Sequence, residues 1–211
     1  GSFTDSSSYD VFDATTVDSN ARGFYGATFD GRYVYFIPYY YSVRNGHVAR
    51  YDTTANFTTA SSWSVFDAAT VDVDAIGFQS AIFDGRYVYF IPYYDSTTYS
   101  GHITRYDTTG NFTSASSWEV KDISEISGWS LSKGFMGGVF DGRYVYMVNY
   151  AYGFFVRYDT TKNFNEDASW ERYDIVTNVD GDAKYFRGGV FDGRYIYLVP
   201  DTYDTFVRDR K

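Results

Sequence analysis

The chain has 211 residues, with 24 Tyr, 19 Phe and 4 Trp, no cysteine and a formal net charge of −9. Without cysteine there can be no disulfide, thiolate metal site or cysteine nucleophile, and the acidic balance argues against nucleic-acid binding, which needs a cationic face to displace counterions. No apolar run reaches the length of about 18 residues that a spanning helix needs, so no membrane insertion is expected.

Gly1-Ser2 reads as a cloning remnant, which leaves room for a native leader upstream. The first patterned segment is Ser8-Tyr9-Asp10-Val11-Phe12-Asp13, followed by a long loop from Asp13 to Gly23. Next comes a strand with a small centre, Gly26-Ala27, and then Phe29-Asp30-Gly31-Arg32-Tyr33-Val34-Tyr35-Phe36. Asp-Gly between alternating apolar residues predicts a hairpin with a type I′ turn, which needs positive φ at both central residues. Tyr39-Tyr40-Tyr41 forms a loop, Arg50-Tyr51-Asp52 ends a third strand, and Ser62-Trp63 opens a fourth.

The same order then returns. The Phe-Asp-Gly-Arg segment starts again at Phe83, Phe140 and Phe191. Arg105-Tyr106-Asp107, Arg157-Tyr158-Asp159 and a degraded Arg208-Asp209 repeat the third strand, and Ser117-Trp118 and Ser169-Trp170 repeat the fourth. In the second copy the four strands are predicted over 78–83, 86–92, 102–106 and 118–121. Period-2 alternation and abundant β-branched and aromatic residues favour strands over helices throughout. The units span about 23–67, 77–122, 134–174 and 185–211, the last supplemented by 8–13, in a single domain over 1–211.

A strand, Asp-Gly, Tyr-Val-Tyr-Phe, a loop, Arg-Tyr-Asp-Thr and then Trp is similar to a kelch-type repeat over about residues 23–211. Kelch repeats carry a double glycine after the second strand, where this chain has Ile37-Pro38-Tyr39-Tyr40, Ile91-Pro92-Tyr93-Tyr94, Val148-Asn149-Tyr150 and Val199-Pro200-Asp201. The chain therefore resembles a divergent bacterial kelch-like family. In size and in its aromatic second strand it also resembles hemopexin-like four-bladed propellers, although their usual cysteine pair is missing. These resemblances imply an all-β fold, a four-bladed β-propeller whose blades are four-stranded antiparallel sheets.

Closure is expected from the N-terminus. The fourth strand of the last unit is missing after Arg208-Asp209, while Ser8–Asp13 aligns with Ser62–Asp67 and places Tyr9 at the tryptophan position. Pairing that strand into the last blade would remove two sheet edges. The alternative is a piece of a larger ring. Small residues at Gly26-Ala27, Ser80-Ala81, Gly137-Gly138 and Gly188-Gly189 suit a crowded axis, and the many aromatics suit wide wedges between blades.

Candidate functional residues lie on one face. Strands alternate in direction, so the loops after the second and fourth strands share a face, and these are the loops that vary between copies. Tyr39, Tyr40, Tyr41, Tyr93, Tyr94, Tyr150, Tyr152 and Tyr203 cluster there with Asp95, Asp201 and Trp129. Tyrosine offers large contact area with few rotatable bonds, which suits carbohydrate or a protein surface as the ligand. In the same loops Asp72 and Asp74, and Asp180 and Asp182, are spaced as calcium ligands can be, with Asp18 and Asn20 in the first copy. Capping and turn formation account for the same acids. His47 and His102, at equivalent positions, read as products of duplication. Asn56-Phe57-Thr58 and Asn111-Phe112-Thr113 match a glycosylation acceptor, but in repeated loops they read as turns. The Asp-Gly-Arg and Arg-Tyr-Asp charges read as a structural ion-pair network.

No nucleophile elbow, phosphate loop or zinc motif is present. No singly placed acids suggest the two opposed carboxylates of a propeller glycoside hydrolase. The expectation is a monomeric, non-catalytic binding module with no catalytic residues, secreted or at a bacterial cell surface. A structural or oligomerising repeat domain of a larger surface protein is the second reading.

Overall fold

The computed structural model describes residues 1–210. In chain order the strands are β1 (Phe24–Phe29), β2 (Tyr33–Pro38), β3 (Tyr40–Tyr41), β4 (Val43–Arg44), β5 (His47–Asp52) and β6 (Trp63–Asp67); β7 (Phe78–Phe83), β8 (Tyr87–Pro92), β9 (His102–Asp107) and β10 (Trp118–Asp122); β11 (Phe135–Phe140), β12 (Tyr144–Asn149), β13 (Phe154–Asp159) and β14 (Trp170–Asp174); and, after the single-turn helix α1 (Ile175–Asn178), β15 (Phe186–Phe191), β16 (Tyr195–Pro200) and β17 (Val207–Arg210). They form an all-β, four-bladed propeller array of antiparallel sheets, β1-β2-β5-β6, β7-β8-β9-β10, β11-β12-β13-β14 and β15-β16-β17, with β3-β4 as a small hairpin in a loop of blade 1. No helix among the described residues is long and apolar enough to cross a membrane.

The Asp-Gly-Arg turns hold each hairpin, but not as type I′ turns. Positive φ occurs at Gly31, Gly85, Gly142 and Gly193 and not at the preceding aspartates. The Asp30 backbone N–H donates to Tyr33 O, which makes Gly31 the first of two central residues, as in a type II′ turn. The aspartate side chain does the rest. Asp30 Oδ1 accepts from the N–H groups of Arg32 (2.8 Å) and Tyr33 (2.6 Å), and its Oδ2 accepts from the Tyr35 hydroxyl at 2.7 Å. The expected charge network is present within blades: Arg32 pairs with Asp52, Arg86 with Asp107 and Arg143 with Asp159, each at 2.7 Å.

Aromatics fill the wedges between blades. Tyr35 of blade 1 reaches Tyr106 and Phe112 of blade 2, and Tyr89 of blade 2 repeats this against Tyr158 and Phe164 of blade 3. Phe66 stacks on Trp118 of the next blade at 4.6 Å. Burial of such rings contributes about 25 cal/mol per Å² of apolar surface. The Arg-Tyr-Asp arginines bridge the same wedges: Arg50 lies over Tyr33 and Phe112 and donates to the Tyr106 hydroxyl. At the axis the first strands pack on one another, β1 on β7, β7 on β11 and β11 on β15. A Cβ at Gly137 would meet Gly188 Cα of the next blade at 2.8 Å, which explains the small residues of this strand.

Closure differs from the sequence-based expectation. Among the described residues the fourth sheet has three strands, and residues 8–13 form no strand and pair with no edge. Phe12 stacks instead on Trp63 of blade 1 at 4.6 Å, so the segment packs where the outer strand of a preceding blade would lie. Within the chain the aromatic packing of Phe12 comes from blade 1, on Trp63 and Phe57. No packing comparable to β1 on β7 joins β15 back to β1, and a Cβ on Gly188 would meet nothing within 4 Å.

Candidate functional site

In the first strand of every blade the pairing with the second strand skips one residue, at Tyr25, Gln79, Met136 and Arg187. Such a bulge re-aims a side chain and breaks the ladder locally. The skip lies at the end of the strand that faces the variable loops. There the residue after each second strand, Tyr39, Tyr93, Tyr150 or Asp201, meets its neighbours across the blades. Tyr39 lies 4.3 Å from the Tyr25 ring and 6.1 Å from Tyr93; Tyr93 lies 5.9 Å from Tyr150; and Tyr150 donates its hydroxyl to Asp201 at 3.2 Å. Four of the residues singled out in the sequence thus form one continuous row across all four blades.

A second tier leans on this row. Tyr94 and Tyr99 pack on Tyr93, Tyr99 meets Tyr152, and Tyr150 meets Tyr185, which stacks on Tyr203. Tyr40 and Tyr41, on the β3-β4 hairpin, are about half exposed, whereas Tyr39 is buried. The Arg44 guanidinium lies over the rings of Tyr39 (4.0 Å), Tyr40 (5.0 Å) and Tyr94 (5.2 Å), and Arg22 lies over Tyr41. At the other end Arg187 pairs with Asp201 at 2.7 Å. Burial raises the pKa of Tyr93, and burial together with the Asp201 carboxylate raises that of Tyr150. The Arg187 guanidinium holds the Asp201 carboxyl below its usual range. The row therefore offers phenol rings and one arginine-bound carboxylate.

Two predicted members are engaged otherwise. Asp95 is a turn former: its Oδ1 accepts from the backbone N–H groups of Thr97 and Thr98 and from the Thr97 hydroxyl. Trp129 packs against the core of blade 3 beneath Arg172. The residues that sequence reasoning missed are Arg44, Arg187, Tyr185 and Gln79. The signal for Tyr185 was present, since it stands where the other three units have Gly23, Gly77 and Gly134. All four positions have positive φ, +67°, +66° and +73° at the glycines and +60° at Tyr185. The side-chain oxygen of Gln79 is buried without a hydrogen-bond partner.

The acidic loops separate into two kinds. Asp72, Asp74 and His102 place ligand atoms within 4.8 Å of one another, with His102 Nε2 at 3.8 Å from Asp74 and 3.7 Å from Asp122. These groups could hold a cation, and His102 joins them as a residue whose role in the sequence was only repetition. Asp180 and Asp182 are exposed, and Asp180 accepts from the Asp182 N–H as a turn former does. Asn56 and Asn111 also cap turns, accepting from Thr58 and Thr113.

No protein-family model matches the chain and no curated protein matches it in sequence, so the kelch likeness extends no further than the repeat motifs. Solved structures do match in fold. A 6-phosphogluconolactonase-like protein from Bacteroides uniformis superposes on 86% of this chain and 51% of its own with a TM-score of 0.53 and 13% identity. A streptogramin B lyase superposes on 90% of this chain and 55% of its own with a TM-score of 0.50 and 13% identity. The chain thus spans about half the length of these propellers, and at such identity the likeness is one of fold.

Proposed function

We propose that the chain is a non-catalytic binding module that takes carbohydrate on the tyrosine row. The observation that carries this reading is the continuous run Tyr39, Tyr93, Tyr150 and Asp201 across the blades, flanked by Arg44 and Arg187. Pyranose rings present apolar C–H faces edged with hydroxyls. Flat phenol rings match the faces, and an arginine–carboxylate pair supplies donors and acceptors together for the edges.

The state of the one carboxylate in the row supports binding over chemistry, because Asp201 is committed to Arg187 and Tyr150. A composition free of cysteine and rich in Tyr, Ser, Thr and Asp fits a module working outside a bacterial cell. A glycan array probed with the intact chain tests the ligand class. Capture is expected, and Tyr150→Ala combined with Asp201→Ala should remove it with little change in melting temperature, since both stand in the row and neither is buried. An array without retained glycans, or a double variant that still binds, rejects this site.

A further inference from the structure

Blade 4 ends in a surface that every other blade buries. Val199 is 49% exposed, whereas its counterparts Ile37, Ile91 and Val148 are fully buried. Tyr197 is 36% exposed, while Tyr35, Tyr89 and Tyr146 at the same position are buried in the wedge of the next blade. Phe206, immediately before β17, is also exposed. At the other end of the array Tyr25 and Phe29 of blade 1 are exposed, with Tyr51 and Phe57 standing where Tyr106 and Phe112 receive Tyr35 in blade 2. The two open ends are therefore the two halves of an interface that the chain already makes between its own blades.

A groove of about 360 Å³ runs between blade 3 and β17, lined by Tyr146, Phe155, Tyr173, Ile175, Val207 and Arg208. Its place is known from the other blades. Trp118 fills it in blade 2, stacked on Phe66 of the preceding blade and beside Tyr106 of its own third strand. Tyr173 occupies the position of Phe66, and the residue at the tryptophan position of the missing strand is Tyr9. Residues 8–13 already lie against blade 1 as the outer strand of a preceding blade, through Phe12 on Trp63.

We propose that a second copy of this chain completes the ring. The exposed face of blade 4 packs on blade 1 of the second copy, and residues 8–13 of that copy add the fourth strand to β15-β16-β17. The same contact, used twice, closes a two-fold ring with four blades from each chain. Closure at two copies fits the curvature, because the array superposes on about half of each larger propeller. Head-to-tail contacts of this kind either close into a ring or grow without limit. Register follows from the internal repeats: Tyr51 pairs with Trp63 and Ala49 with Val65, so Asp209 pairs with Tyr9 and Val207 with Val11. Tyr197 would then lie on Tyr51 and Phe57 of the second copy. This replaces the monomer expected from the sequence, and it stands independently of the ligand.

Sedimentation equilibrium of the intact chain should give twice the chain mass. Val199→Arg, a change at an exposed position of the single chain, should return it to one chain mass with its circular dichroism unchanged. Covalent trapping identifies the strand. The chain has no cysteine, so Val11→Cys with Val207→Cys introduces the only pair. Antiparallel neighbours lie about 4.5–5.5 Å apart at Cα, within disulfide reach. Oxidation with copper phenanthroline should give a dimer band on a non-reducing gel. A single-chain mass for the unmodified protein, a cross-link confined to one chain, absence of a cross-link, or assemblies that grow with concentration would each overturn the proposal.

Discussion

Tyr185 donates its backbone N–H to the carbonyl of Tyr150 at 3.0 Å while the two rings meet edge to face at 5.3 Å. Tyr185 does this at a φ of +60°, a conformation its three counterparts reach as glycines. A non-glycine residue there carries a strain of about 1–3 kcal/mol. Under the binding reading proposed above, this strain, kept at one copy out of four at the end of the tyrosine row, is offset by contact of the ring with the ligand.

Tyr185→Gly should therefore leave stability unchanged or raise it by about 1 kcal/mol, because relief of strain offsets the lost ring contacts. The same variant should weaken glycan retention. Urea unfolding and array binding measure the two effects. A loss of stability beyond about 2 kcal/mol would show that the ring acts as packing.

Acid should unfold the chain through its repeated arginine–aspartate pairs. Burial disfavours ionisation of Asp107, but hydrogen bonds from Arg86 and Thr109 outweigh it and hold the pKa at about 2. The Arg32 and Arg143 hydrogen bonds likewise depress Asp52 and Asp159. A carboxyl whose folded pKa is lowered stabilises the fold fully above its unfolded pKa, about 3.9, and loses that contribution as pH falls through the folded value. Urea midpoints should be level above pH about 4.5 and drop between about 4 and 2. Asp107→Asn should flatten part of that drop, and a slope identical to the parent chain would reject the assignment.

Calcium should not change the melting temperature. Calcium takes about six to eight oxygen ligands, whereas Asp72 and Asp74 are joined by an imidazole, and Asp180 and Asp182 are spent on a turn. Native-state ligands raise stability by mass action. A rise in melting temperature in millimolar calcium, reversed by chelator, would assign these loops to the ion.

Much of this was readable in the residues. Each Asp-Gly-Arg-Tyr carries its own hairpin, because the aspartate caps the turn and the tyrosine two positions further on returns a hydrogen bond to it. Strand boundaries in the second copy, 78–83 above all, follow directly from alternation. The row Tyr39, Tyr93, Tyr150 and Asp201 was legible because equivalent positions in a repeat must be neighbours around an axis. Arg187 and Arg44 were not, since a bulge and a two-residue hairpin decide where they point, and neither leaves a period in the sequence. Closure was misjudged for a related reason. Alignment of Tyr9 with Trp63 identifies which strand residues 8–13 imitate, but not which edge they join.

The wedge contacts have a kinetic meaning as well. Outside its own blade Tyr35 packs on Tyr106 and Phe112 of blade 2, and Tyr89 on Tyr158 and Phe164 of blade 3. Within each blade successive strands pair in chain order, with the β3-β4 hairpin of blade 1 inserted between β2 and β5. Search distances during folding are therefore short, and any blade can act as the nucleus from which order spreads to the next, as in linear repeat proteins. In a chain held single by Val199→Arg the terminal blades have one neighbour each and should fray first, whereas β8 and β12, enclosed on both sides, should exchange their amide hydrogens last.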